Sequence, residues 1–226
     1  HYAAHLIGHE GPGSLLSELK RKGWISNLSA GDRPLARGIS AFNIAVDLSE
    51  EGLEHTEDII DIIFQEIGLI KSKGPLKWIQ EELRKLDDIK FRFKDKETPI
   101  DLVTCFSSRL QNFPMEDIVY CNYRLDQFDE GLIMDVLNRL TPDNMFYCVV
   151  SQKFADKPGN TREFWYGTEF KKSNVEESLL SKWRSALDTC SEVLYLPMPN
   201  DYIASRFDLK TVEQPYTDVP RIISDN

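Results

Sequence analysis

His9 and Glu10, inside the run His5-Leu6-Ile7-Gly8-His9-Glu10-Gly11-Pro12-Gly13-Ser14, set an imidazole beside a carboxylate, the groups from which zinc hydrolases are built. The spacing argues against that use. A zincin helix needs His-Glu-x-x-His, with two imidazoles one turn apart, and Gly13 stands where the second would fall. The inverted order, His-x-x-Glu-His, is missing too, because the other histidines are His1, His5 and His55. No catalytic metal is expected in this chain.

Other chemistry is thinly represented. The acidic pairs Glu50-Glu51, Glu81-Glu82, Asp87-Asp88 and Glu176-Glu177 lie in expected helices that also carry Lys and Arg, and read as solvated faces. There is no Gly-x-Ser-x-Gly elbow and no phosphate-cradling glycine loop, while a Cys-His or Ser-His pair stays open. Cys105, Cys121, Cys148 and Cys190 are far apart and form no Cys-x-x-Cys. They suit reduced, mostly buried thiols in a cytoplasmic protein better than a disulfide frame. Phe91-Arg92-Phe93-Lys94-Asp95-Lys96-Glu97 interleaves rings with bases, but the acids among them and a net charge of −10 argue against nucleic acid. No apolar run is long enough to span a membrane.

The elements that must position these groups follow from pattern. Tyr2 to Ile7 reads as an apolar strand, broken at Gly11-Pro12-Gly13. Ser14 then opens a short amphipathic helix that Gly23 ends. Trp24 to Ser29 and Ile39 to Leu48 read as strands, joined through the turn-forming Ala30-Gly31-Asp32-Arg33-Pro34, with Phe42, Ile44, Val46 and Leu48 on the apolar face. Helices are expected from Ser49 to about Lys73, from Pro75 to about Phe93, from Pro99 to Asn112, from Asp126 to Leu140 and from Val175 to Ala186. Met145 to Ser151 reads as a central strand and Glu163 to Phe170 as a short extended segment. The order implies an α+β fold, a mostly antiparallel sheet with helices packed on it. With 226 residues the chain can bury a full core. One domain is expected over 1–196, followed by an extended linker, rich in proline, over 197–226.

In a strand, Tyr2, Ala4, Leu6, Gly8 and Glu10 would share one side. An edge of that kind accepts an extended peptide by main-chain hydrogen bonds, and Glu10 could hold its α-ammonium group. A plain core strand ending in a turn is the alternative.

Tyr2–Lys20 with Lys22-Gly23-Trp24, then Phe91–Glu97, then Trp165-Tyr166-Gly167-Thr168, resemble in order the second domain of the insulysin (insulin-degrading enzyme) family. That family belongs to the pitrilysin-like inverzincin zinc peptidases, related to nardilysin and more distantly to mitochondrial processing peptidase. The likeness spans nearly the whole chain. It implies a metallopeptidase-like α+β domain whose parent has four such domains around a chamber, with zinc held by the first domain and no cofactor in this chain. The second domain contributes chamber wall and an exosite that anchors the amino end of a peptide. Carried over, that exosite uses His1, Ala4, Leu6, Gly8 and Glu10, faced by Ser29, Ala30, Gly31 and Asp32. The family commonly has Gly at the position of Ala4 and Val-Gly-Gly at Ser29-Ala30-Gly31, so two added methyls approach the peptide's path. Implied partners are insulin-like or amyloidogenic peptides and the parent's remaining domains. The alternative is an inactive paralogue or interaction module that forms a homodimer or pairs with an active subunit.

Overall fold

The first apolar residues fold as a helix rather than a strand. In the computed structural model, which describes residues 1–125, 127–155, 161–189 and 191–208, α1 spans Tyr2–Ile7. The residues it buries are Tyr2, Ala3, Leu6 and Ile7. That pairing of neighbours four apart is the stripe of a helix, whereas a strand would have buried every second residue. Two alanines and a leucine favour the same outcome.

Ser14 caps α2 (Leu15–Arg21), its hydroxyl accepting from the Ser17 N–H at 3.1 Å. Gly23, at φ +76°, turns the chain into β1 (Ile25–Ala36). This strand pairs antiparallel with β2 (Ile39–Leu48) along nearly its whole length. The stretch Ala30–Pro34, expected as the connection, is ladder. The reversal comes later, at Arg37-Gly38, where Gly38 supplies φ +80°. Pro34 sits beside a register shift, which a strand with a missing N–H tolerates.

Ser49 caps α3 (Glu50–Glu54), accepting from the Gly52 N–H at 2.9 Å. His55 breaks the expected long helix, and α4 (Thr56–Lys73) follows. Gly74, at φ +67°, and Pro75 lead into α5 (Lys77–Arg92), and Thr98 caps α6 (Pro99–Arg109). Then come α7 (Glu130–Arg139), the two-residue strands β3 (Thr161–Arg162) and β4 (Glu169–Phe170), and α8 (Glu177–Ala186). Asp126 and Cys190 lie outside the described residues, as does the part of the expected linker beyond residue 208.

The fold is α+β, and among the described residues the antiparallel pairing lies in two small sheets. The sheet is smaller than expected. Among the described residues Met145–Ser151 joins no ladder, and Phe146 and Val150 are 85% and 88% exposed. A buried central strand is thereby corrected to an uncovered extended segment. The thiols are corrected as well: Cys105 and Cys121 are half-buried and Cys148 is exposed, all three free.

The core gathers around α4. Leu6, Ile7, Leu15, Leu19, Ile70, Ile79, Leu137 and Trp183 are almost wholly enclosed. Each such side chain contributes about 1.5–3 kcal/mol of burial. Trp183 of α8 also donates its indole N–H to the Glu57 carbonyl at 3.1 Å, tying α8 to the start of α4. Tyr2 accepts from the Leu76 N–H at 2.9 Å and so fixes α1 against the start of α5. Burial raises the Tyr2 phenol above its ordinary range, outweighing that hydrogen bond. Among the described residues no helix is long and apolar enough to cross a membrane.

Candidate peptide-anchoring site

The two halves of the sequence-derived site meet where α1 ends against β1. Gly8 closes α1, its N–H donating to the Ala4 carbonyl at 2.9 Å. A methyl added at Gly8 would lie 2.8 Å from that same carbonyl and 3.7 Å from both the Ala30 Cβ and the Ala30 nitrogen. Gly8 is therefore held to glycine by the carbonyl of its own helix, while a methyl there would make only ordinary contact with Ala30 on the strand.

Beside this contact is a hollow of about 300 Å³ lined by Ser29, Ala30, Gly31, Asp32, Arg33 and Asn43. Four of those six are the facing segment read from sequence. Arg33 and Asn43 were not, although register could have found Asn43, which is the cross-strand partner of Gly31. A Cβ at Gly31 would meet nothing within 4 Å. β1 is laddered only to β2, so among the described residues its other flank carries no strand. The unpaired strand edge is thus that of β1, not of the opening segment.

The other members of the set are dispersed. Leu6 is 2% exposed and belongs to the core. His1 lies at the opposite end of α1, its Nε2 3.4 Å from the Asp87 carboxylate on α5. Ala4 is half-buried, and Glu10 is exposed just past the helix, outside the lining of the hollow. The corrected secondary structure explains this: a helix puts Ala4 and Leu6 on opposite sides, and Glu10 lies past its end.

Among the described residues no catalytic arrangement is assembled. Among the described residues His55 is the one histidine with a side-chain hydrogen bond, to Asp58 at 3.2 Å, so no Ser-His or Cys-His couple is formed. A catalytic zinc needs three protein ligands, and no three His, Cys, Asp or Glu side chains converge among the described residues. The residues here do not fit such a metal. A second hollow of about 450 Å³ beside α5 is lined by Lys77, Gln80, Glu81, Arg84, Leu125 and Phe128. Its bases are matched by acids, Lys77 to Glu81 at 3.7 Å and Arg84 to Asp88 at 3.6 Å, which leaves little net field for a charged ligand.

Among the described residues the chain presents an α+β unit with an unpaired hairpin flank and a helix end packed on it. Residues 1–86 match the family model described as the peptidase M16 inactive domain, and residues 91–226 the one described as the middle or third domain of peptidase M16. The chain belongs to the M16 peptidase family. It is 42% identical over 225 residues to insulin-degrading enzyme of Bos taurus and 41% identical over 225 to that of Homo sapiens. Each alignment covers 100% of this chain and 22% of the relative, so the chain spans about a fifth of their length. In structure it is similar to pitrilysin, with TM-score 0.85 at 24% identity over 95% of this chain and 22% of that one, a likeness of fold.

Proposed function

We propose that this chain is a non-catalytic, peptide-anchoring and chamber-wall portion of an insulysin-like zinc metalloendopeptidase acting on short peptides such as insulin-like hormones. The zinc belongs to another part of that parent. The observation that carries this reading is the unpaired flank of β1 beside the Ser29–Asp32 hollow, with the Gly8 backbone set against Ala30. An extended peptide adds to β1 by main-chain hydrogen bonds, and its amino end points toward Glu10. Held there, a substrate is oriented for a cut made elsewhere in the parent. The exposed Phe164, Trp165 and Tyr166, between β3 and β4, form a surface for the parent's remaining domains.

The test uses the full-length parent. Glu10→Gln removes an exposed ion pair, so binding of peptides with a free amino end weakens about twofold to fivefold and binding of acetylated peptides stays unchanged. Equal losses for both peptides remove Glu10 from the reading. Peptide affinity indifferent to a bulky residue at Gly31 removes the β1 edge from it as well.

A further inference from the structure

His5 and His9 become a pair only because α1 is a helix. In a strand four residues separate side chains by about 13 Å. Here the helical turn continues past Ile7: the Gly8 N–H donates to the Ala4 carbonyl at 2.9 Å and the His9 N–H to the Leu6 carbonyl at 3.2 Å. His9 thus stands one turn beyond His5, and the two ring centroids are 6.1 Å apart with the planes tilted by 58°.

We propose that His5 and His9 form a two-imidazole site for a borderline divalent transition ion, with Cu2+ preferred to Zn2+. Two imidazoles on one tetrahedral ion, at about 2.0–2.1 Å per metal–nitrogen bond, place their ring centroids about 5 Å apart. Rotation of the side chains by about 1 Å closes the present separation. His5 and His9 share the i, i+4 spacing that zinc helices use for their paired histidines, with His9 on the turn that follows α1.

The local chemistry agrees. Both rings are half-buried, and among the described residues neither has a hydrogen-bond partner, so no existing bond must break for a metal to bind. Burial holds both imidazoles below their ordinary pKa, which leaves them neutral, with lone pairs available, at pH 7. Lys90 opposes a cation at His5, but it is bound to Asp87 at 3.0 Å. Glu10 acts in the other direction on His9 and attracts a cation there. No third ligand from the described residues joins the pair, so water completes the shell and the site is weaker than a three-ligand centre. Ligation by imidazole alone suits Cu2+, Ni2+ and Zn2+, and stability follows the usual order with Cu2+ tightest.

The test is calorimetric titration of the 226-residue chain with Zn2+ and with Cu2+ at pH 7, alongside thermal unfolding. One ion per chain is expected, bound more tightly as Cu2+, with a rise in the unfolding midpoint. Loss of an outer-sphere partner typically costs a metal site 10- to 100-fold, so His5→Gln or His9→Gln, which removes a direct ligand, weakens binding by at least about tenfold and abolishes the rise. His1→Gln and His55→Gln, which remove the other two imidazoles, leave binding unchanged. Paramagnetic resonance of the unaltered chain with one Cu2+ shows coupling to two nitrogens, which makes the test independent of how the variants fold. Binding that survives both His5→Gln and His9→Gln overturns the site. So do coupling to fewer than two nitrogens and the lack of one-to-one binding at millimolar metal.

Discussion

Glu66 on α4 is 2% exposed, and its Oε2 has no hydrogen-bond partner. Burial alone pushes its pKa from 4.5 to about 7. Glu66→Gln keeps the shape and removes the ionisation. The sign follows from linkage: a carboxyl whose folded pKa is raised binds its proton more tightly when folded, so stability declines as pH rises from the unfolded value through the folded one. Below pH 4.5 both states are protonated and the group contributes no difference. Above pH 7 the buried form is ionised and the whole penalty applies. At about 1.4 kcal/mol per pH unit across that interval the cost reaches ~3 kcal/mol.

Urea unfolding of the natural chain and of Glu66→Gln at pH 5, 6, 7 and 8 reads this directly. The advantage of the variant grows from about 1 kcal/mol at pH 5 to ~3 kcal/mol at pH 8, the latter equivalent to about 6–12 °C in the unfolding midpoint for a chain of this length. Other groups cancel in the difference. His5 and His9, held low by burial, destabilise the fold as pH falls through the imidazole range, and do so in both proteins. Glu18, held low first by its hydrogen bonds to Arg21, and Asp58, held low first by Lys182, lose their contributions below the pH window used. A difference between the two proteins that does not change with pH refutes the argument, because a buried carboxyl that finds a partner or water on ionising has no such penalty.

Gly68→Ala in α4 would ordinarily gain helix propensity of about 1 kcal/mol, but the new Cβ falls 2.1 Å from the Leu187 carbonyl oxygen, so α4 and α8 must separate. A net loss of about 1–3 kcal/mol in urea unfolding is expected. Gly31→Ala meets open space and changes stability by no more than about 0.5 kcal/mol, which makes it a clean probe of the β1 hollow in peptide-binding measurements. Trp183→Phe removes the hydrogen bond to the Glu57 carbonyl and leaves a small void beneath α8, for a loss of about 2 kcal/mol in the same assay.

Local signals carried most of the fold. Ser14 and Ser49 were readable as helix caps because one hydroxyl and one N–H three residues on settle the matter between them. The apolar alternation of β2 was readable because one side of that strand packs on the core. What local pattern missed was the pairing of burial with tertiary context. Tyr-Ala-Ala-His-Leu-Ile is apolar under either period, and only the burial of neighbours Tyr2 with Ala3 and Leu6 with Ile7 decides for a helix. That one decision rearranges the candidate site: it moves Leu6 into the core, transfers the open edge to β1 and brings His5 within reach of His9.

Met145–Ser151 shows the converse. Its sequence, Met-Phe-Tyr-Cys-Val-Val-Ser, has strong strand character, yet a strand is stable only when its N–H and C=O groups find a ladder. Among the described residues no neighbouring segment supplies one, so the backbone stays extended without pairing. Tyr147 packs edge-on to Trp183 with centroids 6.0 Å apart and Met145 packs against the core, so side chains rather than a ladder hold the segment. Its propensity was legible in seven residues, whereas the partner that would turn propensity into a strand is a property of what lies alongside.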